Sequence, residues 1–175
     1  MTNIEPIMDG DIVPATMAAG IELGISFDFF KRHTRNILKK TKEECSTDYT
    51  NNFWFIFRRN ELTIGGFYIN DIYCYWDDNV VLEFSGDIPI LTAIHVSNKY
   101  SGKLFNVLTI GSRLDLLKSK LGFGFYYGPG DVHYLLSSLS KPDEIVEGVF
   151  IRTNYLLPYS EEYQEQLVET ITVYL

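Results

Sequence analysis

The stretch Leu108-Thr-Ile-Gly-Ser-Arg-Leu-Asp-Leu-Leu-Lys-Ser-Lys-Leu-Gly122 leaves the backbone few choices. It reads as a short strand, a glycine turn and one amphipathic helix. Leu114, Leu117 and Leu121 recur at helical spacing and predict a buried stripe. Ser112 is placed to cap the first turn, and Gly122 stands where a left-handed residue ends a helix. Asp115 lies at the positive end of the helix dipole, with Lys118 and Lys120 at the negative end. The same pattern occurs upstream in Ile21-Glu-Leu-Gly-Ile-Ser-Phe-Asp-Phe-Phe30, where Gly24, Phe27, Asp28 and Phe30 align with Gly111, Leu114, Asp115 and Leu117. The pattern reads as two copies of a strand-turn-helix unit, each followed by strands. One domain, 1–175, with halves 11–98 and 103–175, is the expectation.

The residues after each unit are strand-like. Hydrophobic residues make up 46% of the chain and aromatics 15%, so a full core is expected and the aromatics lean towards pleated surfaces. Asp28–Lys42 is predicted as the first helix, and Cys45–Asn52 as a polar loop. Phe53–Arg59, Leu62–Ile69, Ile72–Trp76, Val80–Phe84 and Ile90–Val96 read as a five-strand meander. Its turns fall at Arg59–Glu61, Asn70–Asp71, Asp77–Asn79 and Ser85–Asp87, with a bulge at Gly65–Gly66. In the second half, strands are expected at Phe105–Ile110, Phe123–Tyr127, Val132–Leu136, Val146–Thr153 and Val168–Tyr174. The Gly128-Pro-Gly-Asp131 turn and a loop at Ser137–Glu144 separate them. The fold class is α+β: a twisted antiparallel sheet with helices packed on one face.

Little in the sequence carries chemistry. His33, His95 and His133 show no metal-binding spacing, and neither Cys45 nor Cys74 belongs to a C-x-x-C pair. The two thiols are expected to be free, in a reducing compartment. No cofactor is implied. Gly122-Phe-Gly-Phe-Tyr-Tyr-Gly-Pro-Gly130 interleaves aromatics and lacks the lysine of a phosphate cradle, so it reads as a strand between turns. Asp131 and His133 form the single candidate dyad, which leaves a small hydrolase or ligand carrier as the alternative function. Assembly through an exposed sheet edge is a further option. The N-terminus lacks a basic start and apolar core, so no signal peptide is read, and no apolar run is long enough to span a membrane.

Charge is more informative. The net charge is −8, which disfavours nucleic acid as a partner. Trp54, Phe55, Phe57, Tyr73, Tyr75 and Trp76 resemble a base-stacking platform, but residues 60–98 hold six carboxylates (Glu61, Asp71, Asp77, Asp78, Glu83, Asp87) and neither Lys nor Arg. The segment Tyr159–Gln166 also mixes tyrosines with acids. Such surfaces suit a basic protein: carboxylates speed the encounter and aromatics hold it. On this ground Asp77, Asp78, Glu83, Asp87, Glu161, Glu162 and Glu165 are candidate contact residues, with Tyr75, Trp76, Tyr159 and Tyr163 as anchors.

Gly20-Ile-Glu-Leu-Gly-Ile-Ser-Phe-Asp28 resembles the opening block of small bacterial immunity proteins, including those of contact-dependent growth inhibition and other polymorphic-toxin systems. Tyr100–Phe105 and Leu108–Leu117 are similar to that group's second block, and the acidic run before the closing strand is similar as well. Ala19 stands where the group has glycine. The resemblance implies a cytoplasmic antidote, not an enzyme. It would bind the C-terminal domain of a cognate toxin, typically a nuclease, by occluding its active or substrate-binding surface. It implies no catalytic residue.

Overall fold

The computed structural model describes residues 3–39, 53–62, 68–138, 141–162 and 165–175. A small hairpin, β1 (Met17–Ala18) and β2 (Ile21–Glu22), precedes helix α1 (Phe27–Arg32) and strand β3 (Ile37–Lys39). Strands β4 (Trp54–Leu62), β5 (Tyr68–Trp76), β6 (Val80–Ser85) and β7 (Ile90–Ser97) form a meander. Helix α2 (Asp115–Leu121) then leads to β8 (Gly124–Gly128), β9 (Val132–Ser138), β10 (Lys141–Thr153) and β11 (Val168–Tyr174). All but the small hairpin join one nine-stranded sheet, in the order β3-β4-β5-β6-β7-β11-β10-β9-β8. Neighbours are antiparallel except β3, which runs parallel to β4, so the sheet is mixed and not purely antiparallel.

The period-two alternation of the strands sorts their side chains. In β6, Val80, Leu82 and Phe84 are fully buried while Val81, Glu83 and Ser85 are half-buried. Direct cross-strand partners extend that division across the sheet. Trp54, Trp76, Val80, Val96, Ile171, Ile151 and His133 form one inward row. Helix α1 closes over this face: Phe27 and Phe30 meet Phe84 at 5.2 and 5.4 Å between ring centroids, and Phe30 meets Trp54 at 5.3 Å. Leu117 of α2 enters the same continuous core.

The stretches around Gly24 and Gly111 dock alike. Gly24 N–H donates to Leu91 O, Leu91 N–H to Ile25 O, and Phe27 N–H to Pro89 O. In the second half, Gly111 N–H donates to Val168 O, Val168 N–H to Ser112 O, and Leu114 N–H to Gln166 O. The first stretch sits at the start of β7 and the second at the start of β11, and these strands are antiparallel neighbours at the sheet centre.

Several expectations change. Helix α1 stops at Arg32 and does not run to Lys42. Thr34 Oγ1 donates back to Phe30 O, and Ile37–Lys39 pairs with Trp54–Ile56, so the β4 edge supplies the backbone hydrogen bonds that further helical turns would have made. The meander has four long strands in place of five. Arg59–Glu61 and Asn70–Asp71 lie inside β4 and β5, with Arg59 opposite Asp71, Asn60 opposite Asn70 and Glu61 opposite Ile69, so the turn residues there were overridden by the register that sets Trp54 against Trp76. The Gly65–Gly66 bulge, the 45–52 loop and Cys45 lie outside the described residues.

Ser112 does not cap α2: its hydroxyl accepts from Thr109 N–H, and Leu114 occupies the cap position. Gly122 does end the helix in the left-handed region, at φ 73°. Leu121 is 44% exposed, so the stripe reduces to Leu114 and Leu117. The expected strand at 105–110 is a turn between Leu104 and Leu108. The expected loop at 141–144 belongs to β10, whose register shifts between Lys141 and Ile145. Such an irregularity is where a proline can sit in a sheet.

A candidate protein-binding surface

The outward face of the sheet carries its own row of direct cross-strand partners. It runs Leu38, Phe55, Tyr75, Val81, His95, Thr172, Phe150, Tyr134, Tyr126, one residue from each of the nine strands. The centre is polar: His95 Nδ1 lies 2.9 Å from Thr172 Oγ1, and His95 Nε2 lies 3.4 Å from Glu83 Oε2. Aromatic clusters flank it. Phe55, Tyr73 and Tyr75 touch on one side, with centroid distances of 5.9 and 6.4 Å. Tyr126, Tyr134, Phe150 and Tyr174 touch on the other, at 5.6 to 6.3 Å.

Both helices lie on the opposite side of the sheet. The rings of this row are half-buried by one another, and Tyr126 at the end is 51% exposed. The Tyr73 hydroxyl is held above its usual pKa by partial burial first, then by the Glu83 and Asp71 carboxylates, with Arg59 opposing. It therefore stays a neutral hydrogen-bonding group at the end of an apolar ring, the kind of side chain that protein interfaces favour.

The candidate residues from the sequence divide between this face and three other places. Tyr75 and Glu83 belong to the open face. Trp76 points the other way; it is 7% exposed and packs on Trp54 at 5.2 Å, so it serves the core. Asp77 and Asp78 form the β5–β6 turn, which is pinned to the end of β7: Ser97 Oγ donates to Asp78 O at 2.6 Å, and Lys99 N–H to Asn79 Oδ1 at 3.0 Å. Ser97 is the partner of Thr170 in β11. The segment leading into β11, with Glu161, Glu162 and Glu165, therefore emerges at the same end of the sheet. Asp87 lies at the other end of β6, about 20 Å away for six residues of strand, beside Asp28, Lys31 and Arg58.

Tyr159 packs on Phe125 at 4.7 Å on the covered side, with the Lys118 ammonium 5.5 Å above its ring. Lys118 also binds Glu161, whose carboxyl is held below its usual range by that hydrogen bond and charge. Tyr163 lies outside the described residues.

The Asp131–His133 pairing does not form. Asp131 is exposed and accepts from the Tyr127 hydroxyl at 3.0 Å. His133 is fully buried, 6.3 Å from the Phe125 ring and 5.1 Å from Tyr127, with no hydrogen-bond partner on either nitrogen among the described residues. Period two explains this: in β9, His133 faces the core while its neighbours Val132 and Tyr134 do not share its direction. No cluster of three metal-ligating side chains occurs among the described residues, and none of their helices is long and apolar enough to cross a membrane.

Comparison with protein-family models, curated proteins and solved structures finds no match.

The surface rests on this chain's own geometry. Sequence reasoning missed Tyr126, Tyr134, Phe150 and Tyr174 as members of it. Each stands in an alternating stretch, but only the strand order places Tyr126, Tyr134 and Phe150 in line with Phe55 and Tyr75, and Tyr174 in the next row with Tyr73.

Proposed function

We propose that this chain is a bacterial immunity protein. It acts in the cytoplasm and neutralises the C-terminal domain of a cognate toxin, a basic domain of nuclease type, by covering its active or substrate-binding surface. The observation that carries the reading is the outward row from Leu38 to Tyr126, whose side chains are half-buried or exposed except for Thr172 at its centre, which is 1% exposed. The seven strands from β4 to β9 in the sheet order have six or more residues and make a strip of about 29 by 21 Å at the usual strand spacing, and the shorter β3 and β8 bring it to roughly 700 Å², close to the ~800 Å² that one side of a stable protein complex needs. Tyrosine and phenylalanine there are the anchors that interface cores favour. The carboxylates of Asp77, Asp78, Glu162 and Glu165 at one end of the sheet steer a cationic partner towards it.

The matched docking of Gly24–Phe27 and Gly111–Leu114 supports a second part of the reading: the halves are diverged copies of one unit, related by an approximate two-fold axis between β7 and β11. His95 and Thr172 then stand at that axis, and Tyr75 corresponds to Tyr134.

The test is co-expression with the toxin fragment encoded at the end of the neighbouring upstream reading frame, scored by growth, followed by binding of the purified pair. Tyr75→Ala and Tyr134→Ala are each expected to weaken the complex by at least roughly tenfold, the scale of a central aromatic anchor. Asp77→Lys with Asp78→Lys is expected to slow association most at low salt. Failure to protect, or a complex in which Tyr75 and Tyr134 keep their solvent exposure, overturns the proposal.

A further inference from the structure

We infer that the outer edge of β8 is a seam for a second copy of this chain, added antiparallel with Tyr126 of each copy on the two-fold axis. The two halves differ at their outer edges. In the first half the outer edge of β4 is taken by β3, so Leu38 stands beside Phe55. In the second half the chain passes from α2 through Gly122 and Phe123 directly into β8, and among the described residues β8 has β9 as its only strand partner. No described strand takes the position next to Tyr126 that corresponds to Leu38, and Tyr126 is 51% exposed.

Sheet edges in stable proteins are normally guarded by a lysine, a proline, a bulge or a covering element. Strand β8 reads Gly-Phe-Tyr-Tyr-Gly and keeps an unbroken register from Gly124 to Gly128. It contains none of the guards that a sequence can supply. The opposite edge strand, β3, is three residues long and ends in Lys39.

The occupant follows from the order of residues. Antiparallel pairing about Tyr126 sets Gly124 against Gly128 and Phe125 against Tyr127 of the second copy, so small faces small and ring faces ring. Charge agrees. A chain of net charge −8 repels its own copy over most of its surface, but residues 121–130 hold no charged side chain. Beyond them, exposed Lys120 lies at one end and exposed Asp131 at the other. The two-fold pairing brings the Lys120 end of each copy to the Asp131 end of its mate. The outward aromatic row then continues from Tyr126 into its copy and doubles in length.

Sedimentation velocity on the purified chain from low to high micromolar concentration tests this without any toxin, so its outcome is independent of the proposed function. The expected result is a concentration-dependent species of twice the 20.2 kDa chain mass. Tyr126→Lys is expected to weaken it by roughly tenfold or more, because like charges directly opposite on paired strands repel. The exposed position lets that variant keep the parent's circular dichroism. In a Cys45→Ser background, Tyr126→Cys is expected to form an intermolecular disulfide on mild oxidation, since opposed Cα atoms about 4.5–5.5 Å apart lie within bridging range. Ser119→Cys, exposed on α2, is the control that should not cross-link. A monomer at every concentration overturns the inference. So does a dimer that survives Tyr126→Lys and leaves Tyr126→Cys reduced.

Discussion

Tyr100→Phe removes one oxygen atom and tests how the N-terminal segment is held to the rest of the molecule. Tyr100 is 2% exposed. Its hydroxyl accepts from Ala19 N–H at 3.0 Å and donates to Gly10 O. Ala19 is fully buried, and its N–H has no water to turn to once the oxygen is gone. Gly10 is only half-buried, so its carbonyl is resolvated at little cost. Leaving one buried donor without a partner costs about 1–3 kcal/mol. With about 2 kcal/mol as the central value and some 2–4 °C per kcal/mol for a chain of this size, Tm should fall by roughly 4–8 °C. Thermal and urea unfolding followed by circular dichroism measure it, with exposed Tyr155→Phe as the control.

The pH dependence supplies a second reading of the same pair. Burial, then the Asp11 and Asp9 carboxylates, hold the Tyr100 hydroxyl above its usual pKa, with the Ala19 N–H bond opposing. Because the folded value is the higher one, the contribution is complete below about pH 10, the unfolded value, and is lost as pH rises towards the folded value. The stability gap between parent and Tyr100→Phe should therefore narrow above pH 10. An unchanged Tm, or a gap that widens in alkali, would refute the account of Tyr100 as the pin.

Other outcomes rest on single residues. His133 is buried with neither ring nitrogen in a well-formed hydrogen bond, and burial holds its pKa below the usual histidine value, with weak backbone contacts to Leu157 and Ile151 offsetting part of this. The folded value is the lower one, so its contribution is complete above about pH 6.5 and is lost as pH falls towards the folded value. Unfolding free energy should drop between pH 6.5 and 5 in the parent and drop less in His133→Leu. Gly148→Ala should cost several kcal/mol, more than about 3. Gly148 has φ 73°, and a Cβ there would stand 2.4 Å from the Ala15 backbone nitrogen; a soluble variant with the parent's Tm contradicts this. The Cys74 thiol is fully buried, and burial pushes its pKa up. Maleimide should label Cys74 only in denaturant, as read by peptide mass.

Local signals in the chain were sufficient for one class of feature. Gly122 ends α2 because a left-handed residue is needed there, and the residue alone implies it. Asp77–Asn79 and Gly128–Asp131 turn between apolar runs for the same kind of reason, and the alternation of Val168–Tyr174 implied the strand that forms there, although Ile171, Thr172 and Val173 are all buried. The shared spacing of apolar residues and aspartate around Gly24 and Gly111 was readable, but the way the two stretches dock on β7 and β11 was not.

Features that depend on partners distant in sequence were decided by the tertiary structure. Ile37–Lys39 has helical neighbours, yet it becomes a strand because β4 lies beside it. Arg59–Glu61 has turn-forming residues, yet it continues β4 because Trp54 must meet Trp76 in the core. A count of acidic residues suggested one patch, but period two and strand order separated Glu83 on the open face from Asp87 at the far end. The same two rules sent Trp76 inward and brought Tyr126, Tyr134 and Phe150 into line with Tyr75. Side-chain direction in a strand is a local property; which directions end up on the same surface is set by how the strands are ordered and registered, and that is fixed only when the whole core closes.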